Sequence, residues 1–412
     1  MSQDADRYQP DSSYAWLRLA VALVIGTVAC VGSWSVVVVL PAMQGEFGTL
    51  RAGASLPYTF AMLGFGAGNI IMGRVADRYG IMVPIVMGAF LLAAGYSAAA
   101  MSQSLWQFAL AHGLLIGMGS AAGFSPLISD LSHWFRKHRG LAVVCGASGS
   151  YLAGVFWPQV ITWGMANHGW RATHFGIAIV TLVVLLPLAP FFRRQPTAAT
   201  MAAAEASSAG ARGDLGLSAG QLQLLLCVAG FACCVAMAMP QVHIVAYCGD
   251  LGYGVARGAE MLSLMMLLGI VSRIGSGFVA DRIGGVATLA LGSLMQGVAL
   301  FLYLWFDGLQ SLYVVSGIFG LFQGGIVPMY AVVIREYLPA KQAGVRIGLV
   351  MSVTVLGMAF GGYLSGLIFD YFSSYRMAFL NGLAWNLVNL GVVCWLMLRA
   401  RQRPTPPLQV AG

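Results

Sequence analysis

An eight-residue motif recurs in this 412-residue chain, as Gly73-Arg74-Val75-Ala76-Asp77-Arg78-Tyr79-Gly80 and, with two positions changed, as Gly277-Phe278-Val279-Ala280-Asp281-Arg282-Ile283-Gly284. The copies lie 204 residues apart, and each follows an apolar run. A repeat at half the chain length describes two similar halves in tandem. In a membrane-crossing chain, two halves imply a site between them and a rocking motion around it.

Lipid is the covering this chain requires. Hydrophobic residues make up 59% and charged residues only 9%, against about 25% charged in a soluble domain. The 53 glycines suit membrane helices, which pack through small residues. A crossing helix needs roughly 20 apolar residues. Twelve such runs are legible, at 17–43, 54–75, 82–101, 106–130, 140–164, 172–192, 221–248, 257–280, 286–306, 310–334, 343–370 and 377–398. The expected fold is an all-α polytopic membrane protein, with twelve transmembrane helices in two pseudo-symmetric six-helix halves. The halves are 17–192 and 221–398, joined by a linker at 193–220 whose Ala, Ser and Gly content reads as flexible. Tails at 1–16 and 399–412 flank them. Met1 to Ser13 is polar and the first run is long enough to span, so no cleavable signal peptide is expected.

Cations set the expected orientation. Of 22 Lys and Arg, 17 fall in segments on the side of both chain ends. Four (Arg51, Arg171, Arg257 and Arg376) fall on the other side, and Arg273 lies inside a span. The positive-inside rule then puts both termini in the cytoplasm and the protein in the plasma membrane, a bacterial inner membrane. The same distribution accounts for the +8 net charge without a nucleic-acid surface. The seven cysteines fall in or at the ends of apolar runs, in spacings that suit neither zinc nor a disulfide framework. No P-loop is present, and neither cofactor nor metal is expected.

Gly-x-x-x-Asp-Arg-x-Gly between spans 2 and 3, and again between spans 8 and 9, resembles the signature loop of the major facilitator superfamily. Ile81-Met82 stand where that loop usually has a basic pair. A narrower resemblance begins span 5, where Trp134-Phe135-Arg136-Lys137-His138-Arg139-Gly140-Leu141-Ala142, followed by Gly146 and Gly149, is similar to a monocarboxylate-transporter signature. Gly32-Ser33-Trp34 resembles that family's first motif, with Val31 in the acidic place. Arg273 lies four residues before Gly277, where monocarboxylate and oxalate–formate transporters carry a substrate-binding Arg. Gly269 stands where the animal proteins have Asp, and span 1 has no Lys, so their proton-coupling device is not carried over. The resemblance implies that spans 1, 4, 7 and 10 line the cavity.

Arg273 is the only cation clearly inside a span, about 12 Å from the motif end of its helix. A charge at that depth is a functional candidate by default, because burying it costs about 3 kcal/mol or more. No carboxylate occupies a matching depth, so the substrate is expected to supply one; a guanidinium grips a carboxylate through two parallel hydrogen bonds. The competing reading is a structural Arg bonded to backbone carbonyls. His243, three residues past Pro240, and His112 in span 4 can titrate near neutral pH, or can be packing histidines. Trp34, Gln241, Gln323 and Tyr330 carry polar groups on the same four spans and complete the candidate substrate-binding set. The repeated loop is expected to gate. Asp77 can cap a neighbouring helix N-terminus, Arg78 can pair across the halves, and Asp281 and Arg282 repeat this beside Gly73 and Gly277.

These features point to a secondary transporter of a small organic anion, a monocarboxylate in the first instance, moved with a proton or by exchange and working as a monomer. A dicarboxylate exchanger is disfavoured because 347–370 lacks a second cation. Drug efflux is disfavoured by Gly149-Ser150 and Gly154-Val155 where a span-5 Gly-Pro pair is usual in that class. A membrane nutrient sensor is disfavoured by the short tails, and an enzyme by the lack of a nucleophile–base constellation in the spans.

Overall fold

The computed structural model describes residues 11–135, 139–194, 215–338 and 340–402. Most of the expected linker, the tails beyond Asp11 and Gln402, and Arg136-Lys137-His138 of the span-5 signature lie outside the described residues. Among the described residues, ten stretches of helix are long and apolar enough to cross a membrane. One of them, Leu141–Phe192, leaves helical geometry at Gly169 (φ 78°, ψ 165°) and supplies two crossings. Arg51–Tyr79 adds another helix of 29 residues, its apolarity diluted by small and polar side chains.

The helices are α1 (Ser13–Glu46), α2 (Arg51–Tyr79), α3 (Met82–Ala100), α4 (Leu105–Trp134), α5 (Arg139–Ala147 continuing over 149–168), α6 (170–192), α7 (Ala219–Asp250), α8 (Val255–Ile283), α9 (Gly285–Leu302), α10 (Leu309–Tyr337), α11 (Ala340–Phe372) and α12 (Tyr375–Gln402). They run alternately between two ends. The motif end holds both Asp-Arg repeats, the start of α1 and the end of α12; the distal end holds the turns at 46–51, 250–255 and 372–375. The repeats fold alike. Gly80 and Gly284 close α2 and α8 at φ 83° and 85°, ψ 160°. Only glycine takes that conformation without strain, which is why each motif ends on one.

Within each set of six, backbones approach at glycines. A Cβ on Gly64 of α2 would overlap the Gly113 carbonyl of α4, and one on Gly320 of α10 would overlap Met265 of α8. The two sets meet chiefly where α2 packs on α11 and α5 on α8. Gly362 and Gly366 of α11 admit Tyr58 and the Arg51–Ala52 backbone of α2.

Three crossings are broken partway, which the apolar pattern did not reveal. α1 breaks at Cys30, α4 is wound as a π-helix over Ala111–Gly117 and opens at residues 122–124, and α10 opens at Gly324–Gly325. α5 also has a seam at Ser148.

Candidate functional site

Two helix breaks build the surroundings of Arg273. In an intact helix the Gly324 carbonyl would accept from the residue four positions on, but that residue is Pro328, which has no N–H. Arg273 Nε donates to this freed oxygen at 3.2 Å. At the Ser148 seam the Tyr151 N–H turns to the Ser148 carbonyl at 3.0 Å, which leaves the Ala147 carbonyl without its helical donor. Arg273 Nη1 donates to it at 3.0 Å. The guanidinium therefore holds one backbone oxygen from α5 and one from α10, with its carbon 4.0 Å from the centre of the Tyr151 ring. That stacking depends on Gly269, where a Cβ would run into Tyr151. Close approach of α10 depends on Gly324, where a Cβ would overlap the Gly269 backbone.

These bonds are those of the structural reading, yet they leave the residue incompletely used. A guanidinium has five N–H donors, and two are engaged. Among the described residues Nη2 has no partner, and it keeps accessible surface, although Arg273 as a whole is only 8% exposed. The Tyr151 hydroxyl beside it is also unbonded among the described residues and keeps accessible surface.

Arg273 is not the only buried cation. Arg18 in α1 is fully buried, and Arg51, expected in a loop, is the first residue of α2 and nearly as buried. Both differ from Arg273 in having an acid. Arg18 makes two bonds to Asp130, at 2.7 and 2.8 Å, and Arg51 makes two to Asp250, at 2.9 and 2.7 Å. No carboxylate pairs with Arg273 among the described residues. A buried cation without an anion is the costly arrangement.

Three other predicted residues gather here. Trp34 Nε1 donates to the Ser150 carbonyl at 2.8 Å, and its ring lies with Met266 over Gly154, joining α1, α5 and α8. Gln241 of α7 donates to Gln323 of α10 at 2.6 Å. Gln323 adjoins Gly324, and its own Nε2 is buried without a partner.

The remaining predicted residues lie elsewhere. His243 donates from Nε2 to the Gly362 carbonyl at 2.8 Å and packs on Tyr375, between α7 and α11 toward the distal end. His112 bonds its own helix at Phe108 and stacks with Tyr96 and His174 inside the first six helices. Tyr330 donates to Asn389 at 3.0 Å in a buried polar cluster with Ser293. Asp77, Arg78, Asp281 and Arg282 are exposed at the motif end, and no hydrogen bond or ion pair holds them among the described residues. Sequence reasoning missed Tyr151, whose signal was only its place one turn past Ala147, and the two carbonyls, for which Pro328 was a visible clue.

The ends of the molecule differ. At the distal end Asp370 of α11 accepts from the Arg51 and Ala52 N–H groups of α2, both at 2.7 Å. Thr59 donates to the Ala359 carbonyl at 3.1 Å, and Gln159 to Ser263 at 3.2 Å. The halves are bolted together there, while Asp77, Arg78, Asp281 and Arg282 at the motif end make no such bonds among the described residues. Among the described residues no group of three His, Cys, Asp or Glu could hold a metal ion.

The sequence profile of the Major Facilitator Superfamily matches residues 22–315 and, again, 276–411. Monocarboxylate transporter 13 of Rattus norvegicus is 26% identical over 406 residues, covering 94% of this chain and 90% of that protein. MFS-type transporter pynF of Aspergillus niger is 25% identical over 305 residues, covering 73% and 68%. Among solved structures, a bacterial homolog of the human lysosomal transporter Spinster, in an inward-facing and occupied conformation, superposes with a TM-score of 0.69 at 13% identity, covering 95% of this chain and 96% of that one.

Proposed function

This chain belongs to the major facilitator superfamily, and from that premise we propose that it moves a small organic anion, a monocarboxylate, across the membrane by alternating access. As a member it is a multi-pass membrane transporter and not an enzyme. The observation that carries the substrate class is the guanidinium of Arg273, buried, with N–H groups unused and no acid paired with it among the described residues. A substrate carboxylate accepting from Nη2 supplies the missing charge, and charge-assisted bonds of this kind are roughly twice as strong as neutral ones. The Tyr151 hydroxyl offers a second donor, from the other half of the molecule. Trp34, bonded to the Ser150 carbonyl of α5, and the Gln241–Gln323 pair beside Gly324 are the nearest other polar groups proposed for the site. The motif end, with its cation excess, is the cytoplasmic side. The described conformation, closed at the distal end, then faces inward, and the chain works as a monomer.

Uptake of radiolabelled monocarboxylates into proteoliposomes tests this. Arg273→Ala is expected to abolish uptake of the acid that wild type carries, by about a hundredfold or more, while eluting as a monodisperse protein. An inward proton gradient separates symport from exchange: accumulation above equilibrium marks symport, and dependence on internal acid marks exchange. Undiminished uptake by Arg273→Ala would sink the anion reading.

A further inference from the structure

A cleft of about 610 Å³ opens at the distal end, between the two halves. Pro41 and Gly45 of α1, Gly48 in the turn that follows, and Ala246 of α7 help to wall it. A Cβ on Gly45 or Gly48 would meet nothing within 4 Å, so these glycines leave the space clear. Its charged lining residues are Arg51 of α2 and Asp250 of α7, one from each half.

The two are unequally held. The Arg51 guanidinium packs over Phe369 at 4.9 Å and Tyr375 at 5.7 Å, and its side chain is only 5% exposed. Asp250, the last residue of α7, is 40% exposed, and its carboxylate makes no bond except to Arg51 among the described residues. The pairing also leaves much of the cation unused. Both Asp250 oxygens accept from one nitrogen, Nη2, at 2.9 and 2.7 Å. Nε is buried without a partner, and Nη1 makes no bond among the described residues. A carboxylate grips a guanidinium best through two nitrogens and two parallel bonds, which Asp250 does not do. The neighbouring acids are committed elsewhere. Asp370 takes the Arg51 and Ala52 N–H groups at the positive start of α2, and Glu46 pairs with Arg171 at 2.7 Å.

We infer that Arg51 is an outer binding site for the carboxylate of the cargo, distinct from Arg273, whose bonds are to α5 and α10. A small monocarboxylate entering the cleft takes Nη1 and Nη2 side by side, lays its apolar part against Pro41 and Ala246, and displaces Asp250 into water. Asp250 loses little, because an ion pair with an exposed partner contributes little. Arg51 keeps an anion throughout, which matters because a buried cation without one is costly. The exchange has a mechanical result. The Arg51–Asp250 pair ties α2 to α7 across the halves, whereas a pair between Arg51 and the cargo ties nothing. The cargo therefore loosens the distal closure that it has to pass. The inference rests on the reading of the cargo as a monocarboxylate moved by alternating access.

Saturation-transfer NMR of propionate on the full chain in nanodiscs tests it, in an Arg273→Ala background that removes the other guanidinium. Propionate is expected to bind. Asp250→Asn should tighten it by about tenfold, by withdrawing the competing acid, and Arg51→Gln should weaken it by about tenfold or more. Hydrogen–deuterium exchange on the same samples should quicken by about threefold in the first turn of α2 when propionate is added, and Asp250→Asn should show the faster exchange without it. No binding, binding unchanged in Arg51→Gln, or binding that Asp250→Asn fails to tighten overturns the site. Binding that leaves the α2 exchange unmoved overturns the loosening. Asp250→Asn carries the test if Arg51→Gln does not fold. Because Arg273 is absent from this assay, its failure leaves the uptake result standing, and a failed uptake assay leaves the Arg51 site to be decided by propionate alone.

Discussion

Arg273 stands out in the sequence because a lone cation in an apolar run has few innocent explanations. Its partners do not stand out, because two of them are backbone oxygens that become available only where a helix breaks. The Arg18 pair is silent in the sequence for a related reason: its acid, Asp130, is 112 residues away, and no local pattern joins them. The Gly324 oxygen yields a test in one atom. Pro328→Ala restores an N–H that can bond Gly324, completing the helix turn and competing with Arg273 Nε. The variant is expected to be a stabler protein that binds worse, with its thermal midpoint up by a few degrees and the KM for the transported acid up about threefold to tenfold. A thermal scan and a saturation curve on the same preparation check it, and an unchanged KM would mean that Gly324 does not orient the guanidinium.

The elements were legible where length and apolarity decide, and illegible where small residues do. All twelve crossings could be read as runs, yet α2 falls short of membrane-helix apolarity because it is a packing helix. Gly64 and Gly68 lie on its α4 side and Tyr58 on its α11 side. The loop expected between spans 5 and 6 is helix on both sides of a single turning residue, Gly169. Glycine content announced close packing without saying which glycines meet a neighbour. The structure does say: Gly64 and Gly320 have no room for a methyl group. Gly64→Ala and Gly320→Ala force the α2–α4 and α8–α10 backbones apart, with an expected loss of about 1–3 kcal/mol each. Their thermal midpoints should fall by several degrees; midpoints equal to wild type would show that these crossings yield more easily than a packed interior should.

At the scale of the molecule, the proposed alternating access requires two arrangements of one sequence, of which this structure is one. The repeat was legible as a repeat, and its closing glycines have their reason in positive φ. Its first glycines have none in this state: a Cβ on Gly73 or Gly277 would meet nothing within 4 Å, so the described form tolerates a side chain there. A glycine placed twice at the same point of a motif, with open space around it, is best explained by a neighbour that arrives when the motif end closes. The Asp77 and Arg78 side chains, expected to act at the gate, make no hydrogen bond or ion pair to the other half among the described residues. Gly73→Val and Gly277→Val are therefore expected to keep a wild-type thermal midpoint, apart from a β-branched helix penalty of about 0.5 kcal/mol, while transport slows by about tenfold or more. The contrast with Gly64→Ala makes the test specific, since that variant loses stability first. Wild-type transport by Gly73→Val would mean that the motif end closes without burying this face of α2.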